Sequence, residues 1–484
     1  MNRLLSTSIF LSVLLVPVLT VGQHILTLEE ALEIAHDKSI RGKINSQQWE
    51  LGQLDYKIFK KSMFPELSLS STLPNLNRSL EKITLPDGSD SYVSRSQMLT
   101  NLGLSINQPL IWTGGEIYFN SSLERIDLFG QNGSTNWLGN PISFGFSQAI
   151  FGYNDFRWSR KRAPILYDAS QKQNIENAED VSIRTVQLYY NWLVAEIQHE
   201  LAVSFKQHND TIYQISQGRY RMGRIAENDL LQAELNALNS DIDVKQNELN
   251  LTLSKMRLEQ FLNDKLLDAK PSIDTELIEI DVPVMKAVEL AQENMSDYSL
   301  YELRHLNAQS AVAQARSNNS PTVSLFGSFG LTKSAPTAGE TFANPQDREL
   351  LVLNMNIPIY RFGYNKSQTE RAKINQEVTA LELQLEQQSL EQQLFEQIGN
   401  FTLLQEQVKI AKRADEVAAK GYQVTRQRFM IGKIDILELN QAVTRRTSAR
   451  MDYMNALRNY WTAYFQIRKI THYDFLNQTE ISVP

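Results

Sequence analysis

The sequence predicts a mainly α chain with β, built as two tandem repeats of helix, strand, strand, long helix, hairpin and shorter helix. Three observations predict it. The stretch YRMGRIAENDL, Tyr220 to Leu230, returns as FMIGKIDILEL, Phe429 to Leu439, with the glycines 432 − 223 = 209 residues apart. Two regions alternate apolar and polar residues with period two, as strands with one greasy face do. Each is followed by a polar, Gln- and Glu-rich run of about 60 residues without proline, between Pro164 and Tyr220 and between Pro358 and Phe429.

The elements follow in chain order. Met1–Gly22 carries Arg3, the apolar run Ile9–Val16 and small residues before Gln23, and reads as a secretory signal peptide over 1–22. The first repeat spans 23–270. Thr27-Leu28-Glu29-Glu30 is a capping box that opens a helix running to about Met63. A strand region follows over about 65–152, with Leu67 and Leu69, then Leu102, Leu104 and Ile106, then Ile142, Phe144 and Phe146 at alternate positions. A long helix then runs to a hairpin tip near 223, and a shorter one returns to about Asn263.

The second repeat, 271–475, has the same order. Pro283 sits in the first turn of a helix that runs to about Asn318, a strand region covers about 321–362, and the tip lies near 432. A tail of residues 476–484 remains. At roughly 1.5 Å per residue each long run makes a helix of roughly 90 Å. Ile374, Val378, Leu381 and Leu385 step 4-3-4, the spacing of a coiled coil.

The two copies differ in length. Ala31 and Pro65 match Ala287 and Pro321 at an offset of 256, but Gly152-Tyr153-Asn154 matches Gly363-Tyr364-Asn365 at 211. The first copy therefore holds 256 − 211 = 45 extra residues within the strand region, between about Leu73 and Asn140, read as extending the outward-facing β end, with an added hairpin from Leu102 to Phe129 that either adds barrel strands, caps the pore or lies above the membrane.

Composition excludes several function classes. The chain of 484 residues has no cysteine, so disulfides, thiolate metal sites and cysteine nucleophiles are ruled out. A net charge of -7 lacks the basic stripe of a nucleic-acid binder. The mean hydropathy of -0.34 leaves no run of about 20 apolar residues after the signal, so any membrane contact is made by strands or at a surface. Six histidines show no metal spacing, and no nucleophile elbow or phosphate loop appears, so neither cofactor nor enzymatic activity is expected.

Strands with one apolar face fit a half-buried soluble sheet or a lipid-facing wall. Aromatics at the strand ends, among them Trp112, Tyr118, Phe129, Trp137, Phe151 and Tyr360, resemble the interfacial girdles of outer-membrane barrels and favour the wall. Too few strands are present to close a barrel of at least about 8, so several copies must do so.

The opening LTLEEALEIA, the duplicated order of elements and the tips RYRMGRIAENDLLQA and RFMIGKIDILELNQA are similar to those of the TolC-type outer-membrane efflux proteins over essentially the whole mature chain. That resemblance implies a homotrimer in which a 12-stranded β-barrel in the outer membrane continues into an α-helical coiled-coil barrel crossing the periplasm. It implies a passive exit duct that docks through a periplasmic adaptor protein onto an inner-membrane pump. Competing readings are a non-conducting trimeric surface stalk, against which the duplicated tips count, and a secretion conduit for proteins.

The resemblance also assigns residues. Asp229 and Glu438, six residues beyond their glycines, match the acidic positions that constrict the periplasmic end. An acid in a first helical turn also complements the helix dipole, so both roles fit. Gln232 and Gln441 follow three positions on, where relatives often carry a further acid in the second copy. Arg219, Tyr220, Arg428 and Phe429 flank the turns and either tie neighbouring hairpins together or cap helix carbonyls. Gly223 and Gly432 make the turns, and Arg224 and Lys433 are candidate adaptor contacts.

Overall fold

The computed structural model describes residues 25–130, 133–267, 269–272 and 278–482; the expected signal peptide lies outside them. In chain order the elements are β1 (Ile25–Leu26), α1 (Leu28–Lys38), α2 (Ile40–Lys61), β2 (Glu66–Thr84), β3 (Asp90–Leu110), β4 (Gly115–Phe129) and β5 (Ser134–Phe151). Next come α3 (Asp155–Arg221), α4 (Glu227–Leu262), β6 (Lys270–Pro271), α5 (Val284–Asn294), α6 (Ser296–Asn318), β7 (Thr322–Ala335), a 3-10 turn (Gly339–Phe342) and β8 (Gln346–Asn356). The chain ends with α7 (Tyr364–Met430), α8 (Ile436–Thr471), β9 (Tyr473–Asp474) and β10 (Thr479–Glu480).

The duplication is kept to the residue. Helices α3 and α7 are each 67 residues and α4 and α8 each 36, and all four boundaries are separated by the same 209 positions as the glycines. The expected capping box forms, with the Glu30 amide donating to Thr27 Oγ1 at 3.2 Å.

Three expectations need correction. The first helix of each copy is two helices, broken at Ser39 and at Met295, 256 residues apart. Both residues are extended, and at the first break the Ser39 hydroxyl accepts from the Gly42 amide at 2.9 Å, capping the helix that follows. Helix α3 starts before Pro164 rather than after it, because Asn154 Oδ1 accepts from the Arg157 amide at 3.0 Å and sets the N-terminus there. Among the described residues the strand region supplies six long strands in one sheet, not the four per chain that a 12-stranded trimer requires.

The chain divides into two compact units. The first comprises the described parts of 1–44, 178–281 and 399–466. The short parallel pair β1–β6 is pinned there by Tyr189, whose hydroxyl donates to the carbonyls of Leu26 at 2.9 Å and Ser272 at 2.8 Å. Trp192 packs edge-on against Tyr189, and Phe401 stacks on Tyr460 at 5.1 Å. Trp192, Phe401 and Tyr460 are almost wholly buried, and each such side chain contributes on the order of 2–3 kcal/mol of burial.

The second unit comprises 45–177, 282–398 and the described part of 467–484. Its sheet runs β2-β3-β4-β5-β7-β8, with every neighbouring pair antiparallel. Register places Leu67 opposite Ile106, Ile106 opposite Phe119, Phe119 opposite Phe144 and Phe144 opposite Phe329, so one face carries an apolar band. The other face is polar: Ser68, Ser105, Asn120 and Ser143 form the adjacent row, with the hydroxyls of Ser68 and Ser105 2.7 Å apart. Not every aromatic joins the band, since the Tyr118 ring lies over Gly145 on the polar face and stacks on Phe326 at 5.9 Å. Among the described residues no helix is long and apolar enough to cross a membrane.

Candidate functional site at the two hairpin tips

Both tips lie in the first unit and share one backbone solution. At the end of α3 the Gly223 amide donates to the Tyr220 carbonyl at 2.8 Å and the Arg224 amide to the Arg219 carbonyl at 2.9 Å. At the end of α7 Gly432 donates to Phe429 at 2.9 Å and Lys433 to Arg428 at 3.0 Å. This is the Schellman arrangement, in which a left-handed residue lets the last carbonyls find partners. Gly223 and Gly432 occupy that position with φ of +67° and +74°, a conformation a side chain resists.

The returning helices place the predicted acids identically. Asp229 is third in α4 and Glu438 third in α8. Among the described residues no hydrogen bond or ion pair engages either side chain, and nothing joins the two. Glu438 is exposed and Asp229 half-buried. Neither is the residue that caps its helix. Asp435 Oδ1 accepts from the Glu438 amide at 2.9 Å, whereas Ala226 precedes α4 without a side-chain cap. The Asp-x-x-Glu spacing 435–438 carried that signal in the sequence, and the reading above missed it.

The flanking residues are where the tips part company. Arg219 Nη2 donates to the carbonyls of Phe429 at 3.3 Å and Met430 at 3.1 Å, and its guanidinium lies 5.5 Å from the centre of the Phe429 ring. Arg219, at the end of one hairpin's long helix, thus meets the final carbonyls of α7 in the other hairpin of the chain. Arg428, its repeat mate, is exposed. Phe429 is buried to 4% exposure in a cluster with Ile212, Ala233, Tyr422 and Leu439, while Tyr220 is 40% exposed. Arg224 and Lys433 both point to solvent at the turns.

Behind the tips lies a polar contact the sequence did not disclose. His208 Nδ1 and the Tyr422 hydroxyl are 2.9 Å apart, and the Arg446 guanidinium stands 4.9 Å from the Tyr422 ring centre. Burial lowers the His208 pKa below its ordinary value, helped by the charges of Arg426 and Arg446. Burial likewise raises that of Tyr422. Among the described residues no cluster of side chains could hold a metal ion.

The comparisons with known proteins agree with this geometry. Residues 287–471 match the model of the outer membrane efflux protein family. No curated protein matches the sequence. Among solved structures, the Campylobacter jejuni CmeC outer membrane channel is similar with a TM-score of 0.66 at 16% identity, covering 94% of this chain and 87% of that one. The outer membrane protein VceC of Vibrio cholerae gives 0.62 at 13% identity, with 92% and 95% covered. The open-state MtrE outer membrane channel of Neisseria gonorrhoeae gives 0.59 at 16%, with 94% and 91% covered. By sequence over 287–471 the chain matches the outer membrane efflux protein family, and over nearly its whole length it shares the fold of outer-membrane channels.

Proposed function

We propose that the chain is the outer-membrane exit duct of a tripartite efflux or export system, a passive conduit for solutes handed over by an inner-membrane pump and a periplasmic adaptor. It sits in the outer membrane as a homotrimer, with its helical part in the periplasm. The observation that carries this reading is the pairing, in one chain, of a sheet with an exposed apolar band and two long helical hairpins that end in matched tips. The band suits lipid, and the hairpins suit the wall of a periplasmic tube. Chemistry on the solute has no part in this role.

In the trimer six hairpin tips surround one opening, and Asp229 and Glu438 set its charge. Six carboxylates at a constriction attract cations, hinder anions and repel one another. Among the described residues neither side chain is engaged by a hydrogen bond or ion pair, which leaves both carboxylates free to face a pore. Arg219, Tyr220, Arg428 and Phe429 hold the tips closed, and Arg224 and Lys433 offer the adaptor exposed cations.

Single-channel conductance in planar bilayers tests the reading, with wild type compared to Asp229→Ala/Glu438→Ala. The expected result is a small cation-preferring current in the wild type and a larger, less selective one in the variant. Identical currents would return the two acids to a helix-dipole role and leave the duct standing. No current from correctly inserted protein would remove the duct itself.

A further inference from the structure

The six-stranded sheet carries a consequence for the size of the pore. We infer that all six strands enter the barrel wall, so that three copies close an eighteen-stranded barrel through pairing of β8 of one copy with β2 of the next. This inference rests on the duct reading above. It fixes the second copy of this chain as the partner of both free sheet edges.

Four observations carry it. First, the strands added to the first copy, β3 and β4 by the offsets above, are not a separate flap, because they lie between β2 and β5 in the sheet. β3 pairs with β4 in unbroken register from Ser96–Phe129 to Leu110–Gly115, and β2 follows β3 along its length with one irregularity near Leu73. Second, the apolar band continues across the added strands at the same level: Leu104 and Ile106 on β3 stand beside Leu69 and Leu67 on β2, which are 68% and 65% exposed. Leu353 on the opposite edge strand is 59% exposed. A hairpin projecting into water would not keep leucines on the face that the other strands give to lipid.

Third, the band has the height of a membrane. On β3 it comprises Leu102, Leu104, Ile106 and Leu110, interrupted by Gln108, a span of about nine residues, close to the 9–11 that a tilted strand needs to cross the hydrocarbon core. Beyond it the same face turns charged with Arg125 and Asp127 on β4, and on the edge strand β8 charge starts already at Glu349, opposite Phe329.

Fourth, the direction of the chain permits closure. β2 leaves the end of α2, and the turn between β3 and β4 returns to the helical side, where Asn154 Nδ2 donates to the Ile111 carbonyl at 3.2 Å. The strands therefore alternate up and down, and an even number per chain leaves β2 and β8 of neighbouring copies antiparallel. The 45 residues by which the first copy exceeds the second accommodate one such hairpin, since β3 and β4 together span Asp90–Phe129, 129 − 90 + 1 = 40 residues. Relative to twelve strands, eighteen widen the barrel about 1.5-fold, because diameter grows roughly linearly with strand number.

The chain has no cysteine, so every disulfide in the test is an introduced one. Cysteines are placed in pairs in the full-length protein, at Leu67, Leu69 or Ser71 on β2 combined with Leu351, Leu353 or Met355 on β8. A parallel set combines Phe119, Ser121 or Leu123 on β4 with the same β8 positions. Outer membranes are oxidised and covalent species sized. Leu69→Cys/Leu104→Cys, directly opposite within one chain, reports that the β2–β3 hairpin has formed.

The expected result is a ladder to covalent trimer from at least one β2–β8 pair and none from the β4–β8 set. A ladder from β4–β8 pairs alone overturns the inference and leaves a four-strand wall in a working duct. With the Leu69–Leu104 bond formed, absence of any inter-copy ladder also overturns it. The conductance measurement above then tells whether the duct reading falls with it.

Discussion

The two hairpin tips have one backbone and two environments. Their turns superpose hydrogen bond for hydrogen bond, yet Phe429 is packed away where Tyr220 is open, and Arg219 is engaged where Arg428 is exposed. Internal duplication thus conserves what the turn requires and frees what the surroundings decide. Within one chain, tip two receives Arg219 from tip one. Among the described residues tip one receives no such donor from its own chain, which leaves Tyr220 and Arg428 to face a neighbouring copy in the proposed ring.

The sharpest way to break the comparison is to truncate the two aromatics. Phe429→Ala empties a buried site and is expected to lower the stability of the helical region by about 3–5 kcal/mol, whereas Tyr220→Ala stays within about 0.5 kcal/mol. Thermal melting of the helical circular-dichroism signal in detergent checks it, and equal shifts would show that the tips are equivalent after all.

A smaller effect separates the arginines. Arg219→Ala removes two hydrogen bonds from a charged donor and is expected to cost about 1.5 kcal/mol, the low end for such bonds because the side chain is only half-buried. Arg428→Ala is expected to leave a dissociated copy unchanged and to act only in the trimer. Amide hydrogen exchange around residues 427–434, compared between the dissociated and assembled protein, distinguishes the two.

The smallest expected effect concerns pH. His208 has no counterpart in the other copy, where Val417 stands at the equivalent place. Its folded pKa lies below the ordinary value near 6.5, so the unfolded chain takes up the proton first as pH falls. Its contribution to stability is therefore complete above about 6.5 and is lost as pH drops through the folded value. Melting temperatures between pH 7.5 and 5.5 should show a slope that His208→Gln flattens, and an unchanged slope would relieve His208 of that role.

Much of this was legible in residues alone. The glycines announced the tips because φ > 0 narrows the choice of residue, and the offset of 209 fixed both helix pairs before any coordinates. Period-two runs located the strands, although they do not reveal which strand pairs with which, and so the added segment could be sized but not placed. The helix breaks at Ser39 and Met295 were hidden because a single extended residue leaves helical periodicity almost intact. Arg219 was found but its partner was not, since a backbone carbonyl leaves no mark in a sequence. The pair His208–Tyr422 is separated by 214 positions and has no motif.

The unequal edge strands bear on how the protein is made. A newly exported copy displays two unpaired strand edges and an apolar band before any neighbour arrives, which is a template for clumping. β2 has 19 residues and β8 has 11, so in the pairing between copies proposed above at least 19 − 11 = 8 residues of the longer edge stay bare. The far part of β2 carries Arg78, Glu81 and Lys82, with Glu81 bonded to Arg95 at 2.8 Å and Lys82 to Asp90 at 2.6 Å. Charge guards the stretch of edge that assembly never covers.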